Sequence, residues 1–278
     1  MRPYRRPLIA GNWKMHKTIA EASAFTEALL PRVSMVESID VVICPAYLAL
    51  RPTVDWTRHS RVQVYAQNMH YAAEGPFTGE VSAPMLVEAG ARGVILGHSE
   101  RRRMFAESDT AVQLKMAAAL AAGLVPILCV GETEEECELG ETEHMLREQA
   151  ETCLALVETD RLGEVVIAYE PIWTIGTGRE TNPMHIQEVG ALVRAVVAER
   201  SSEQADRVRL LYGGSVTPAN ANALVELEDV DGLLVGEASL GVDSFAAVVD
   251  SALRSLSRPA TASADLRRSA PGDPRRSG

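Results

Sequence analysis

The sequence predicts an α/β fold of the single (β/α)8 barrel class, and three observations carry that reading. Eight short β-type runs alternate with stretches of helical periodicity through most of the 278 residues. The runs are apolar without a clear two-residue alternation, which suits strands covered on both faces and paired in parallel through helical crossovers. No G-x-G-x-x-G follows the first run and no G-x-x-x-x-G-K-[ST] occurs. The usual nucleotide signatures of open doubly wound sheets are therefore missing, and closure into a barrel is favoured.

Taken in order, the strand runs are Leu8 to Ala10, Val41 to Cys44, Val62 to Ala66, Gly93 to Leu96, Val125 to Val130, Val165 to Tyr169, Val208 to Tyr212 and Gly232 to Val235. Helical spacing of apolar residues marks Ala20 to Leu30, Ala111 to Ala122, Glu141 to Val157, Ile186 to Glu199 and Pro218 to Leu227. The third unit departs from this rhythm. Gln67-Asn68-Met69-His70 leads to Gly75-Pro76-Phe77-Thr78-Gly79-Glu80, a long loop with too little periodicity for a helix. One catalytic barrel domain is expected over residues 1–257. Residues 258–278 are rich in Arg, Pro, Ala, Ser and Gly and are expected to form a disordered tail.

Composition narrows the function classes. The chain is 46% hydrophobic and 23% charged, with a net charge of -11. Five arginines against two aspartates give the tail +3, which leaves -14 for residues 1–257. So acidic a body argues against nucleic acid or an anionic membrane as partner, because both attract basic surfaces. The basic start Met1 to Pro7 is followed by too short an apolar run for a signal sequence, and no stretch reaches membrane length, so a cytoplasmic location is expected. Cys44, Cys129, Cys137 and Cys153 form no Cys-x-x-Cys pair and no metal-like spacing with histidine; they read as reduced thiols, with no metal site expected.

In a barrel, the loops at the C-terminal ends of the strands surround one mouth, and the unusual polar residues fall there. After the first run come Asn12 and Lys14; after the fourth, His98, Ser99 and Glu100; after the sixth, Glu170; after the seventh, Gly213-Gly214-Ser215; after the eighth, Gly236-Glu237-Ala238-Ser239. Each has an ordinary reading as a solvated side chain or a turn, and joint placement makes the functional reading stronger. Glycines followed by a helix leave backbone N–H groups bare at a positively polarised helix start, a good phosphate cradle. Glu170 closes an apolar run and is followed at once by the loop Pro171 to Gly178, which suits a base beneath a lid.

With these residues assembled, the chain resembles the triosephosphate isomerase family over about residues 7–256. The resemblance rests on Ala10-Gly11-Asn12-Trp13-Lys14-Met15, Gly97-His98-Ser99-Glu100-Arg101-Arg102, Tyr169-Glu170-Pro171-Ile172-Trp173, Ile175-Gly176-Thr177-Gly178, Tyr212-Gly213-Gly214-Ser215-Val216 and Asp231-Gly232. It implies a TIM barrel isomerase of glycolysis and gluconeogenesis that interconverts dihydroxyacetone phosphate and D-glyceraldehyde 3-phosphate through an enediolate, without cofactor or metal. Glu170 is implied as the proton-shuttling base, His98 as a neutral hydrogen-bond donor to the substrate oxygens, Lys14 as a fixed positive charge and Glu100 as its partner. This glutamate–histidine pairing and the gating lid are the family's own pattern, and these residues match it. Asn12, Lys14, Gly176, Ser215, Gly236 and Glu237 are implied as substrate-binding residues. A homodimer is implied too, in which the Gly75–Glu80 loop docks into the partner, with Thr78 near the partner's catalytic residues and Glu80 pairing with the partner's Arg101.

Some positions depart from the family's usual pattern. Thr174 stands where alanine is common in the lid, Arg179-Glu180-Thr181 replaces the more frequent closing hinge, and Glu237 stands where a second glycine is common. A carboxylate within about 4 Å of a phosphate charge costs about 1 kcal/mol in water, so the Glu237 side chain is expected to point outward to solvent. Two alternatives stay open at this point: a ketose–aldose isomerase of a four-carbon sugar phosphate, and a non-catalytic phosphosugar-binding barrel.

Overall fold

The eight apolar runs close on themselves in the computed structural model, which describes residues 5–33 and 36–256. The strands are β1 (Leu8–Asn12), β2 (Asp40–Cys44), β3 (Gln63–Ala66), β4 (Gly93–Leu96), β5 (Val125–Val130), β6 (Val166–Tyr169), β7 (Arg209–Tyr212) and β8 (Gly232–Val235). They run in parallel, each beside its sequence neighbour, and β1 also pairs with β8, Leu8 opposite Gly232 and Ala10 opposite Leu234. That last ladder removes the sheet edges. The expected 258–278 tail lies outside the described residues.

Lack of alternation in the sequence has a direct cause in the packing. Leu8, Ala10, Val42, Tyr65, Ile95, Ile127, Val166, Ala168, Leu211 and Leu234 point into the barrel and pack on one another. Their neighbours Ile9, Val41, Ile43, Val64, Val94, Leu128, Ile167 and Leu233 face outward into a second apolar layer beneath the helices. Both faces are dry, so both sets must be apolar. Removing one such side chain, as in Ile127→Ala, costs about 2–5 kcal/mol through lost transfer energy and the cavity left behind.

The helices are α1 (Ile19–Val33), α2 (Tyr47–Thr57), α3 (Ala83–Ala89), α4 (Ser99–Phe105), α5 (Asp109–Ala121), α6 (Glu134–Glu138), α7 (Thr142–Leu154), α8 (Pro183–Arg200), α9 (Ser202–Ala205), α10 (Ala221–Glu226) and α11 (Val242–Leu256). Their starts follow local chemistry. Ser108 caps α5 through the Ala111 N–H, Thr133 and Glu136 close a capping box on α6, and Asn182 caps α8 with Pro183 in its first turn. The run from Pro218 does not begin a helix as its spacing suggests. Thr217 and Asn220 exchange side-chain and backbone hydrogen bonds at 2.8 and 3.3 Å, and this turn delays α10 to Ala221.

The third unit is a loop from Gln67 to Val81, as its composition suggests, pinned by a parallel bridge between His70 and Ser82. The Phe77 ring lies against His70 at 4.0 Å between centroids and tilted by 32°, yet Phe77 remains 39% exposed. No described helix is long and apolar enough to cross a membrane. All four cysteines are free. Burial holds the Cys153 thiol up at about 12 and raises Cys44 and Cys129 as well, so these thiols stay protonated and unreactive.

Candidate active site

The C-terminal ends of the strands open onto a cavity of about 590 Å³. Asn12, Lys14, His98, Glu170, Gly176, Ser215, Gly236 and Glu237 all line it. Glu100 does not line it; it stands beside it, accepting a hydrogen bond from Lys14 Nζ at 2.5 Å. The nine residues singled out from sequence are thus brought to one mouth.

Each is held by local structure. Asn12 is the last residue of β1, and its Oδ1 accepts the backbone N–H of Lys14 at 3.0 Å. This contact holds Lys14 at φ +51°, a left-handed conformation uncommon for a side chain with a Cβ. The chain thereby turns Lys14 across the mouth towards Glu100 and Gly236, whose added Cβ would lie 3.6 Å from Lys14 Cε.

His98 caps α4, and its Nδ1 accepts the Glu100 N–H at 3.2 Å. An accepting Nδ1 carries a lone pair, so the ring proton sits on Nε2. Nε2 in turn lies 3.1 Å from Glu170 Oε1. The other Glu170 oxygen accepts the Ser99 N–H at 2.9 Å, and the side chain is 2% exposed. A buried carboxylate with two donors is well satisfied, and both donors come from one turn after β4.

Glycine serves here by its size. A Cβ on Gly213 would come within 2.9 Å of Glu170 Cγ, and one on Gly131 would overlap the Glu170 carbonyl. Gly213 is not in the left-handed region, so its requirement is close approach and not a turn conformation. Gly176 and Gly178 do adopt positive φ, at +71° and +72°, which bends the loop back over the cavity. Gly236 directly precedes a 3-10 turn, Glu237–Ser239, as a cradle requires. Gly213-Gly214 leads instead into the Thr217–Asn220 turn, so its cradle is a loop and not a helix start.

The departures from the family pattern each have partners. Thr174 is fully buried outside the cavity, with its hydroxyl donating to the Pro171 carbonyl at 2.8 Å. Arg179 donates to Glu134 at 2.5 Å, Glu180 accepts from Asn220 at 3.2 Å, and Thr181 accepts from the Tyr212 hydroxyl at 3.0 Å. Glu237 is exposed at the cavity rim.

Sequence reasoning missed a polar cluster behind the lid. Glu132, just beyond β5, accepts from the Tyr169 hydroxyl at 2.9 Å and from Trp173 Nε1 at 3.2 Å, while the Tyr169 oxygen lies 3.1 Å from His185 Nε2. Burial holds the Glu132 carboxyl above its ordinary range, against the pull of these donors. It also missed Glu180, Thr217 and Ser244 as lining residues, because a lone polar residue in a loop carries no periodic signal.

Comparison with known proteins supports the same reading. The family model for triosephosphate isomerase matches residues 7–252. A triosephosphate isomerase of Symbiobacterium thermophilum is 49% identical over 255 residues, spanning 91% of this chain and 100% of the relative. That of Carboxydothermus hydrogenoformans is 47% identical, spanning 88% of this chain and 98% of the relative. The crystal structure of triosephosphate isomerase from Bartonella henselae superposes with a TM-score of 0.82 at 38% identity, covering 89% of this chain and 99% of the other. The chain belongs to the triosephosphate isomerase family.

Proposed function

We propose that the chain interconverts dihydroxyacetone phosphate and D-glyceraldehyde 3-phosphate with Glu170 as the base and His98 and Lys14 as the groups that stabilise the enediolate. Aldose–ketose isomerase activity follows from family membership. The observation that carries the residue roles is the placement of the His98 ring between the Glu100 N–H and Glu170. With Nδ1 taken by the Glu100 N–H, Nε2 at the cavity wall, 3.1 Å from Glu170 Oε1, is the ring atom left to donate to a developing oxyanion. Moving a carbonyl by one carbon requires a proton to leave the carbon beside it and return to the neighbouring carbon. Glu170 can do both from one position once it leaves Ser99. Lys14, tied to Glu100, supplies a fixed cation for the carbonyl and phosphate. Backbone N–H groups at Gly176, Ser215, Gly236 and Glu237 are the proposed phosphate donors, with Asn12 orienting Lys14.

The proposed assembly is a cytoplasmic homodimer through the Gly75–Glu80 loop. Phe77 and Met85, which line one groove, are 39% and 54% exposed, and Met15, next to Lys14, is 94% exposed. Apolar groups of that size in water suit a covered face. Sedimentation at low concentration tests this, and a fully active monomer would contradict it.

Named relatives are triosephosphate isomerases, which favours neither the four-carbon nor the non-catalytic alternative. Thr174, buried away from the cavity, gives no reason to expect a larger substrate. Comparison of kcat/KM for glyceraldehyde 3-phosphate and a tetrulose phosphate tests the choice. The three-carbon substrate is expected to win, and preference for the four-carbon one would overturn it.

A further inference from the structure

Behind the lid and outside the cavity, Glu132, Cys137 and His185 bring a carboxylate oxygen, a thiol sulfur and a ring nitrogen within 4.8 Å of one another. The three come from separate segments: the turn after β5, α6, and the first turn of α8. Glu132 is fully buried. Its Oε1 takes both the Tyr169 and Trp173 donors, while Oε2 is buried with no hydrogen-bond partner among the described residues. A desolvated carboxylate oxygen without a donor is costly, and the neighbouring Arg179 is engaged by Glu134 and by the Trp173 ring.

We propose that this cluster binds a thiophilic divalent cation of the zinc class. Carboxylate, thiolate and imidazole are the donor types such an ion takes, and three of them leave a fourth position for water. Binding releases the Cys137 thiol proton to solvent, and the thiolate and carboxylate together then balance the two positive charges. Ligand atoms around a tetrahedral ion stand roughly 3.5 Å apart, so the group needs to contract by about 1 Å. The half-buried Cys137 gives access from solvent, and Glu134, Glu135, Glu136 and Glu138 on the same short helix concentrate cations there. The Tyr169 hydroxyl, in contact with both Glu132 and His185, already holds two ligands in register. A bound ion ties the turn after β5 to the helix that follows the lid, while Trp173 of the lid rests on the same carboxylate.

Titration of the metal-free full-length protein with Co²⁺ tests this. One equivalent is expected to produce a thiolate-to-cobalt charge-transfer band with tetrahedral d–d bands, all displaced by Zn²⁺. Cys137→Ser is expected to abolish the charge-transfer band while keeping isomerase activity, since Cys137 does not line the cavity. His185→Ala is expected to weaken cobalt binding about 10-fold or more. Absence of the band in the parent protein overturns the proposal. So does a band that survives Cys137→Ser, which would assign the metal to another thiol, or binding unchanged in His185→Ala.

Discussion

At the N-terminal end of the barrel, Arg194 donates to Asp229 at 2.6 Å and to Asp231 at 3.0 Å, and its remaining N–H groups reach the carbonyls of Ala205 and Val208. Asp231 also receives Arg5 and the Leu210 N–H. At the C-terminal end the charges Lys14, Glu100 and Glu170 sit around a cavity, with Glu170 resting on two donors that a substrate can replace. The first network is closed, and every charge has its partner inside the protein. The second is left open towards a space, so part of its interaction energy is available to a bound anion and to charge that develops during reaction. Charge at one end of the barrel therefore serves stability and at the other serves chemistry, as the geometry of this fold allows.

That contrast can be broken in several ways, taken from the largest effect to the smallest. Glu170→Gln is expected to lower kcat by about 10³-fold or more at a stability cost of only about 1 kcal/mol, because the amide oxygen keeps the Ser99 contact while its NH2 can neither accept from His98 nor take the proton. Steady-state kinetics and equilibrium unfolding on one preparation check both halves. Arg194→Met should do the reverse: about 2–3 kcal/mol of stability lost, since half-buried Asp229 loses its cation and buried Asp231 is left with Arg5, with kcat little changed in the fraction that folds.

Lys115→Met sharpens the comparison through pH. Burial alone would raise the Glu107 carboxyl, but the Lys115 hydrogen bond and charge, with help from Arg101, hold it below its ordinary range. A lowered carboxyl contributes stability that is present above its unfolded pKa and lost as pH falls through the folded value. The variant is thus expected to be about 3 kcal/mol less stable at neutral pH, with the difference shrinking on acidification. Denaturation midpoints across pH would show it, and a constant difference would count against the pairing.

Deleting Ile175 to Thr177 is expected to shift turnover from isomerisation towards elimination of phosphate, because the lid segment over the cavity excludes water. Product analysis for inorganic phosphate measures the ratio, and unchanged partitioning would remove the lid assignment. At the small end, Glu237→Gly should alter binding by less than about 1 kcal/mol, as the carboxylate is exposed at the rim. A large fall in KM would mean that Glu237 reshapes the phosphate site.

What could be read in advance follows the same division. Strands announced themselves because both faces are dry, and the mouth residues could be listed because each directly follows a strand. Gly213 was legible as a glycine but not for its reason, since only the approach of Glu170 reveals that size, not φ, is what matters. The start of α10 departs from the apolar spacing because the Thr217–Asn220 side-chain turn outweighs it. Glu132, Cys137 and His185 were invisible as a group. Their proximity is made by the closure of the barrel and by no local pattern, as is the Arg194 network that joins α8 to Asp231.

The most direct test of proton transfer at the open end is turnover of glyceraldehyde 3-phosphate in deuterated water, with the product followed by NMR. A carboxylate that removes the proton, and exchanges part of it with solvent before returning it, predicts dihydroxyacetone phosphate of which a fraction carries solvent deuterium at the receiving carbon, and loss of labelled and unlabelled product alike with Glu170→Gln. Product formed at the parent rate by Glu170→Gln, with or without deuterium, would contradict the role given to Glu170.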